Sequence, residues 1–185
     1  MKKWVDFLTA KAENYIVKYS KFGDWVPPGF QKKSLETPGE LVSTWYYYHD
    51  CLLLSKIAHV LGKSDDEEKY RVLSEKIKAA FNKEFLKGDH YTFRWETLVT
   101  GSQTSNLLPL YLDMVPEEKR EAVLNQLLQD IIAAHSCHLG TGIVGTRFLL
   151  DTLTKYGHAE LAYKIVTQKT YPGWGYMVEN GATTL

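Results

Sequence analysis

Leu41-Val42-Ser43-Thr44-Trp45-Tyr46-Tyr47-Tyr48-His49-Asp50-Cys51-Leu52-Leu53-Leu54-Ser55-Lys56-Ile57-Ala58-His59-Val60-Leu61 is the stretch on which the fold of this 185-residue chain turns. Wound at helical spacing it is apolar on most faces, and a helix of that kind must be surrounded by protein. The segment near Ile143–Leu153 has the same character. Two others differ. Tyr70, Leu73, Ile77, Ala80, Phe81 and Phe85 form a single apolar stripe, as do Leu124, Leu127, Leu128, Ile131 and Ile132, each with a charged back. Those helices face solvent on one side. A further stripe runs through Trp4, Phe7, Leu8, Ala12, Tyr15, Ile16 and Tyr19. No sustained period-2 alternation competes, so the chain reads as all-α, with buried and half-buried helices alternating in an inner and an outer layer.

Start and stop signals agree. Thr37-Pro38-Gly39-Glu40 has the form of a capping box, and Ser64-Asp65-Asp66-Glu67 repeats it with acidic charge at the positive end of the helix dipole. Pro116-Glu117-Glu118 opens another helix. The acidic run from Asp65 to Glu68 is therefore a helix start and not a metal site. Gly62 and Gly157 each follow an apolar segment as C-terminal stops, a hairpin theme without a strict repeat.

Composition narrows the function classes. Lys and Arg number 22 against 22 Asp and Glu, so no basic field attracts nucleic acid or anionic membrane. No segment approaches the ~20 apolar residues of a membrane span, and the N-terminus lacks the apolar region of a signal peptide. Cys51 and Cys137 lack zinc-site spacing and read as buried free thiols, and none of His49, His59, His90, His135 or His158 has ligand spacing for a metal. No cofactor and no metal are expected. Aromatic residues make up 13% of the chain, a composition suited in part to stacking on a flat, partly polar ligand.

The loops carry the rest of the signal. Phe22-Gly23-Asp24-Trp25-Val26-Pro27-Pro28-Gly29, Thr100-Gly101-Ser102-Gln103-Thr104-Ser105-Asn106, His138-Leu139-Gly140-Thr141-Gly142 and Thr170-Tyr171-Pro172-Gly173-Trp174-Gly175-Tyr176 each mix glycine with groups that hydrogen-bond or stack. On a ring of hairpins all four would share one rim, where ligand contacts concentrate.

In these motifs, and in Gly181-Ala182-Thr183-Thr184, the chain resembles the catalytic domain of bacterial α-L-rhamnosidases over nearly its whole length. The resemblance implies helical hairpins forming part of an (α/α)6 barrel, residues 1–185 being a single partial domain and an incomplete ring whose uncovered surface favours self-association. It implies hydrolysis of terminal α-L-rhamnose from a rhamnose-containing glycoside, with inversion by two carboxylic acids. In that family the acid lies in a loop upstream of anything matching Met1. The base is a glutamate directly after the Gly-Ala-Thr-Thr motif, where this chain stops. On that basis no catalytic residue is expected within residues 1–185. Glu179 precedes the motif and reads as a polar loop residue. Glu96 lies beside Arg94 and suggests an ion pair. The expected sugar-binding residues are Asp24, Trp25, Gln103, His138 and Trp174: Asp24 as an acceptor for neighbouring hydroxyls, Trp25 and Trp174 as stacking rings, and Gln103 and His138 as hydroxyl partners or loop ties. The alternative is a non-catalytic carbohydrate-binding or helical interaction module.

Overall fold

The computed structural model describes residues 1–18, 20, 22–29, 37–92 and 101–184. Their regular elements are helices and one two-residue-per-strand ribbon, β1 (Leu86–Lys87) and β2 (His90–Tyr91), which the sequence pattern did not announce. Tyr19 and Glu96 with its neighbours Phe93, Arg94 and Trp95 lie outside the described residues. The chain forms two compact units, Met1–Gly23 with Pro38–Leu86, and Asp24–Thr37 with Lys87–Leu185.

The first unit holds α1 (Lys2–Lys11), α2 (Gly39–Val60) and α3 (Ser64–Phe85). Helices α2 and α3 are a hairpin around Gly62, whose φ of +65° is the left-handed conformation that glycine adopts without a Cβ penalty. There the Lys63 N–H donates to Ala58 O at 2.9 Å and closes the α2 terminus. Leu41, Trp45, Tyr47 and Cys51 on α2 meet a core that includes Tyr70, Ile77, Phe81 and Phe85 of α3, all 1% exposed or less. Burying each large side chain contributes about 1.5–3 kcal/mol relative to leaving it in water. The expectation that α2 is enclosed holds for its first half only: Leu53, Ile57 and Val60 are 36%, 40% and 82% exposed. The N-terminal stripe is also shorter than its periodicity implies. Helix α1 ends at Lys11, and Asn14 and Tyr15 take φ of +51° and +66°, which breaks the helical register before Ile16.

Two expected caps are absent. Pro38 and Lys63 occupy the cap positions of α2 and α3 without a side-chain bond. The Thr37 hydroxyl pairs with Ser102 Oγ instead.

The second unit contains α4 (Gln103–Tyr111), α5 (Glu117–Gln129), α6 (Ile143–Lys155), α7 (Ala159–Val166) and α8 (Trp174–Glu179). Helix α4 falls where the sequence read as a loop. Its start is a true capping box: the Ser105 N–H donates to Ser102 Oγ at 3.0 Å and the Ser102 N–H to Ser105 Oγ at 2.9 Å. Every residue from Gln103 to Leu110 is buried. The polar ones among them are satisfied; Asn106 Oδ1, for example, accepts from the Tyr91 N–H at 2.8 Å. Helix α5 runs into a π-helical turn, Asp130–Ala134, in which the His135 N–H reaches Asp130 O at 3.0 Å. Within that turn Ile131 is buried while Ile132 is 51% exposed.

Candidate functional site

The second unit gathers its polar loops around α4. Asp24 is 1% exposed, and both carboxylate oxygens accept hydrogen bonds. Oδ2 takes the Thr104 hydroxyl and the Gly142 N–H (2.7 Å), and Oδ1 takes the N–H groups of Val144 (2.7 Å) and Gly145 (3.1 Å). Three of these donors are amides at the start of α6, which have no partner within the helix. A carboxylate there satisfies them and faces the positive end of the helix dipole. The neighbouring backbone closes the same junction: the Asp24 N–H donates to Thr37 O at 3.0 Å and the Ile143 N–H to Trp25 O at 2.9 Å. Asp24 thus binds the backbone at Thr37, the start of α4 and the start of α6 into one piece.

Gln103 does comparable work from α4. Its Oε1 accepts from the Gly140 N–H at 2.7 Å, and its Nε2 makes a long bond to His138 O at 3.4 Å. His138 Nδ1 sits 2.9 Å and 3.0 Å from the carbonyls of His135 and Ser136, so Nδ1 carries the proton and donates. On the other side of that ring, Nε2 meets Thr170 Oγ1 at 2.8 Å. Trp25 is 48% exposed, and Trp174 is the half-buried first residue of α8. Glu179 ends α8 and pairs with Lys169 Nζ at 2.6 Å on the surface.

A cavity of about 260 Å³ opens in this unit, walled by Pro27, Pro28, Leu139, Tyr171 and Pro172, with Gln103, Asp130 and His135 supplying polar groups. Of the five residues expected to touch sugar, Gln103 alone is among its described lining residues. Asp24, Trp25 and His138 instead tie together the backbone that frames it. Two lining residues, Asp130 and His135, escaped the sequence reading. His135 Nδ1 lies 3.0 Å from Asp130 O and 3.3 Å from Asp130 Oδ2. The Asp130 carboxylate beside the ring holds the imidazole pKa above its ordinary value, against the opposing effect of burial. A spacing of five residues lies on no single α-helical face, and it is the π turn that brings the pair together.

The first unit has a wider groove of about 570 Å³ between α1 and α2, lined by Trp4, Leu8, Phe22 and Tyr46, with Asp50 at 3.0 Å from Trp4 Nε1. Burial pushes the Asp50 carboxyl up. The groove includes none of the residues that the sequence singled out for sugar. Among the described residues no group of three His, Cys, Asp or Glu is placed to hold a metal ion, and no helix is long and apolar enough to cross a membrane.

Comparison with known proteins places this geometry in a family. An alpha-L-rhamnosidase of Formosa agariphila is 36% identical over 189 residues, covering 100% of this chain and 20% of the relative. The solved alpha-L-rhamnosidase from Dictyoglumus thermophilum superposes with a TM-score of 0.90 at 54% identity, covering 100% of this chain and 20% of that one. The Streptomyces avermitilis alpha-L-rhamnosidase complexed with L-rhamnose gives a TM-score of 0.86 at 31% identity, covering 100% and 16%. The chain therefore spans about a fifth of the length of the relatives it matches. Its all-α hairpins agree with part of an (α/α)6 barrel. The sequence profile of the bacterial alpha-L-rhamnosidase 6 hairpin glycosidase domain matches residues 1–185 throughout, and the chain belongs to that family.

Proposed function

We propose that the protein carrying this chain hydrolyses terminal α-L-rhamnose from glycosides with inversion, and that residues 1–185 supply part of the sugar-recognition wall. The family match over the whole chain carries this reading. Supporting it is a cavity of about 260 Å³, smaller than the ~300–1,000 Å³ of sites for drug-sized ligands and suited to a single sugar ring. Proline and tyrosine faces suit the C–H face of a deoxysugar, while Gln103 and His135 offer partners for its hydroxyls. The two carboxylic acids of the inverting reaction belong, by the resemblance, to segments flanking these residues. The role left to this chain is to bind and orient.

The test is hydrolysis of an aryl α-L-rhamnoside by two polypeptides: residues 1–185 alone, and a longer one that adds the upstream acidic loop and the downstream Trp-Glu. The general acid and the general base each contribute about 10²–10⁴-fold, so the short chain should show background rates only. The longer one should turn over and release the inverted anomer first, as read by NMR. Turnover by the short chain that disappears in Glu179→Gln would place the chemistry on a residue that the structure holds in a surface ion pair. Sugar binding without turnover by both polypeptides would favour the carbohydrate-binding module.

A further inference from the structure

Three features meet at one point of the second unit's cavity. First, the His135 ring is oriented from behind by Asp130, whose carbonyl and carboxylate both lie at Nδ1, at 3.0 Å and 3.3 Å. With two acceptors there, Nδ1 carries a proton, and the free end of the ring is Nε2. Second, Nε2 has no hydrogen-bond partner among the described residues, although the ring lines the cavity. Third, the space in front of it is kept open by a glycine. A Cβ on Gly140 would lie 3.0 Å from His135 Nε2 and 3.0 Å from Gln103 Nε2. Two side-chain nitrogens therefore converge on a gap that any other residue at position 140 would fill.

We propose that His135 is a ligand-binding residue whose Nε2, together with Gln103 Nε2, holds a hydroxyl group of a neutral monosaccharide unit seated in this cavity. The proposal rests on the sugar-recognition reading above and names the group that performs it. The chemistry selects a hydroxyl over a carboxylate or an amine. A protonated ring beside the Asp130 carboxylate makes a pair with no net charge, which offers no field to a charged ligand. In the protonated state Nε2–H donates; in the neutral state, with the proton kept on Nδ1, Nε2 accepts. A hydroxyl both accepts and donates, so it is satisfied in either state. Gln103 Nε2 has two hydrogens, and its one long bond to His138 O leaves the second for the same oxygen. The apolar walls, Pro27, Pro28 and Tyr171 among them, cover the carbon-bound face of a ring.

The experiment is NMR of the histidine Cε1–H signals of the protein, titrated separately with L-rhamnose, L-fucose, D-galactose and D-glucose, with calorimetry in parallel. L-Rhamnose should move the His135 signal saturably while that of the exposed His59 in the other unit stays fixed. His135→Phe keeps the ring and removes both nitrogens; Gly140→Ala keeps the imidazole and fills the gap. Each should weaken rhamnose about tenfold, the effect of one lost hydrogen bond, with circular dichroism confirming the fold. If another of the four sugars moves His135 and rhamnose does not, the rhamnose reading fails and His135 stands as the ligand group. If calorimetry detects rhamnose binding while the His135 signal is unmoved, this proposal is overturned and the rhamnose reading survives. Binding of none of the four sugars overturns both.

Discussion

Asp24→Asn should destabilise the protein by about 2 kcal/mol, although it removes a single charge and almost no volume. Four donors converge on this carboxylate, which is 1% exposed to solvent. Hydrogen bonds to an ionised group contribute ~1.5–3 kcal/mol each, and a buried donor left unmade costs ~1–3 kcal/mol. An asparagine amide retains one acceptor oxygen. If that oxygen keeps the Val144 and Gly145 N–H groups, the NH₂ faces Thr104 and Gly142. The Thr104 hydroxyl can rotate and accept, but the Gly142 N–H cannot, so one amide is orphaned and the other bonds lose their charge assistance. Asp24→Ala orphans all four and should cost about 4 kcal/mol, less than the sum of the bonds because water can enter the vacated space. Urea denaturation followed by far-UV circular dichroism reads this directly: at m-values of ~1–3 kcal/mol per molar, a loss of 2 kcal/mol moves the midpoint by roughly 1 M. Thr104→Val should couple to Asp24→Asn by at least ~0.5 kcal/mol in a double-mutant cycle, since the two share a bond. An Asp24→Asn midpoint within ~0.2 M of the parent, on the same slope, would refute a structural role for this carboxylate. If rhamnose affinity collapsed at the same time, Asp24 would be the sugar contact that the sequence suggested.

Gly145→Ala should destabilise by at least ~2 kcal/mol even though alanine is the better helix former by ~1 kcal/mol. The added carbon would strike Thr104 Oγ1 and lie 2.9 Å from Thr141 Cγ2 and 3.0 Å from Asp24 Oδ2, and thermal melts would show the loss. Burial pushes the Cys51 thiol up to about 12, so a disulfide reagent at pH 8 should leave Cys51 unlabelled until the protein is unfolded. The raised pKa of His135 gives a definite sign to one pH dependence. The ion pair's stabilisation is fully present below the unfolded value near ~6.5 and is lost as pH rises through the folded value. Because His135 is 42% exposed the effect is small. It should appear as a Tm difference between parent and Asp130→Asn at pH 5.5 that narrows by pH 8.5, and a constant difference would contradict the pairing.

The all-α class, most of the long helices and the family were legible in the amino-acid sequence. Apolar residues at helical spacing located α3 and α5 because a helix with one wet face must carry that pattern, and glycines marked the ends of α2 and α6 because the left-handed turn there favours a residue without Cβ. The order of the loop motifs was enough to reach the rhamnosidase resemblance. The roles of individual site residues were not legible, and the reason is physical. Hydropathy reads a polar residue as exposed, whereas Gln103, Thr104, Ser105 and Asn106 form a helix buried on every side. Only bonds to distant partners offset the cost of that burial. Asp24 illustrates it: its acceptors are filled by groups 80 to 121 residues away, a tie that fixes the start of α6 and that no local pattern announces. Trp25 is likewise tied through its carbonyl to the Ile143 N–H, and His138 to the side chains of Thr170 and Gln103, groups that no local pattern places beside them. His135 shows the converse, a residue without any motif that enters the cavity because one π turn shifts the register after α5. Periodicity is a property of neighbours in the chain; hydrogen-bond satisfaction is a property of neighbours in space, and only the folded structure decides it.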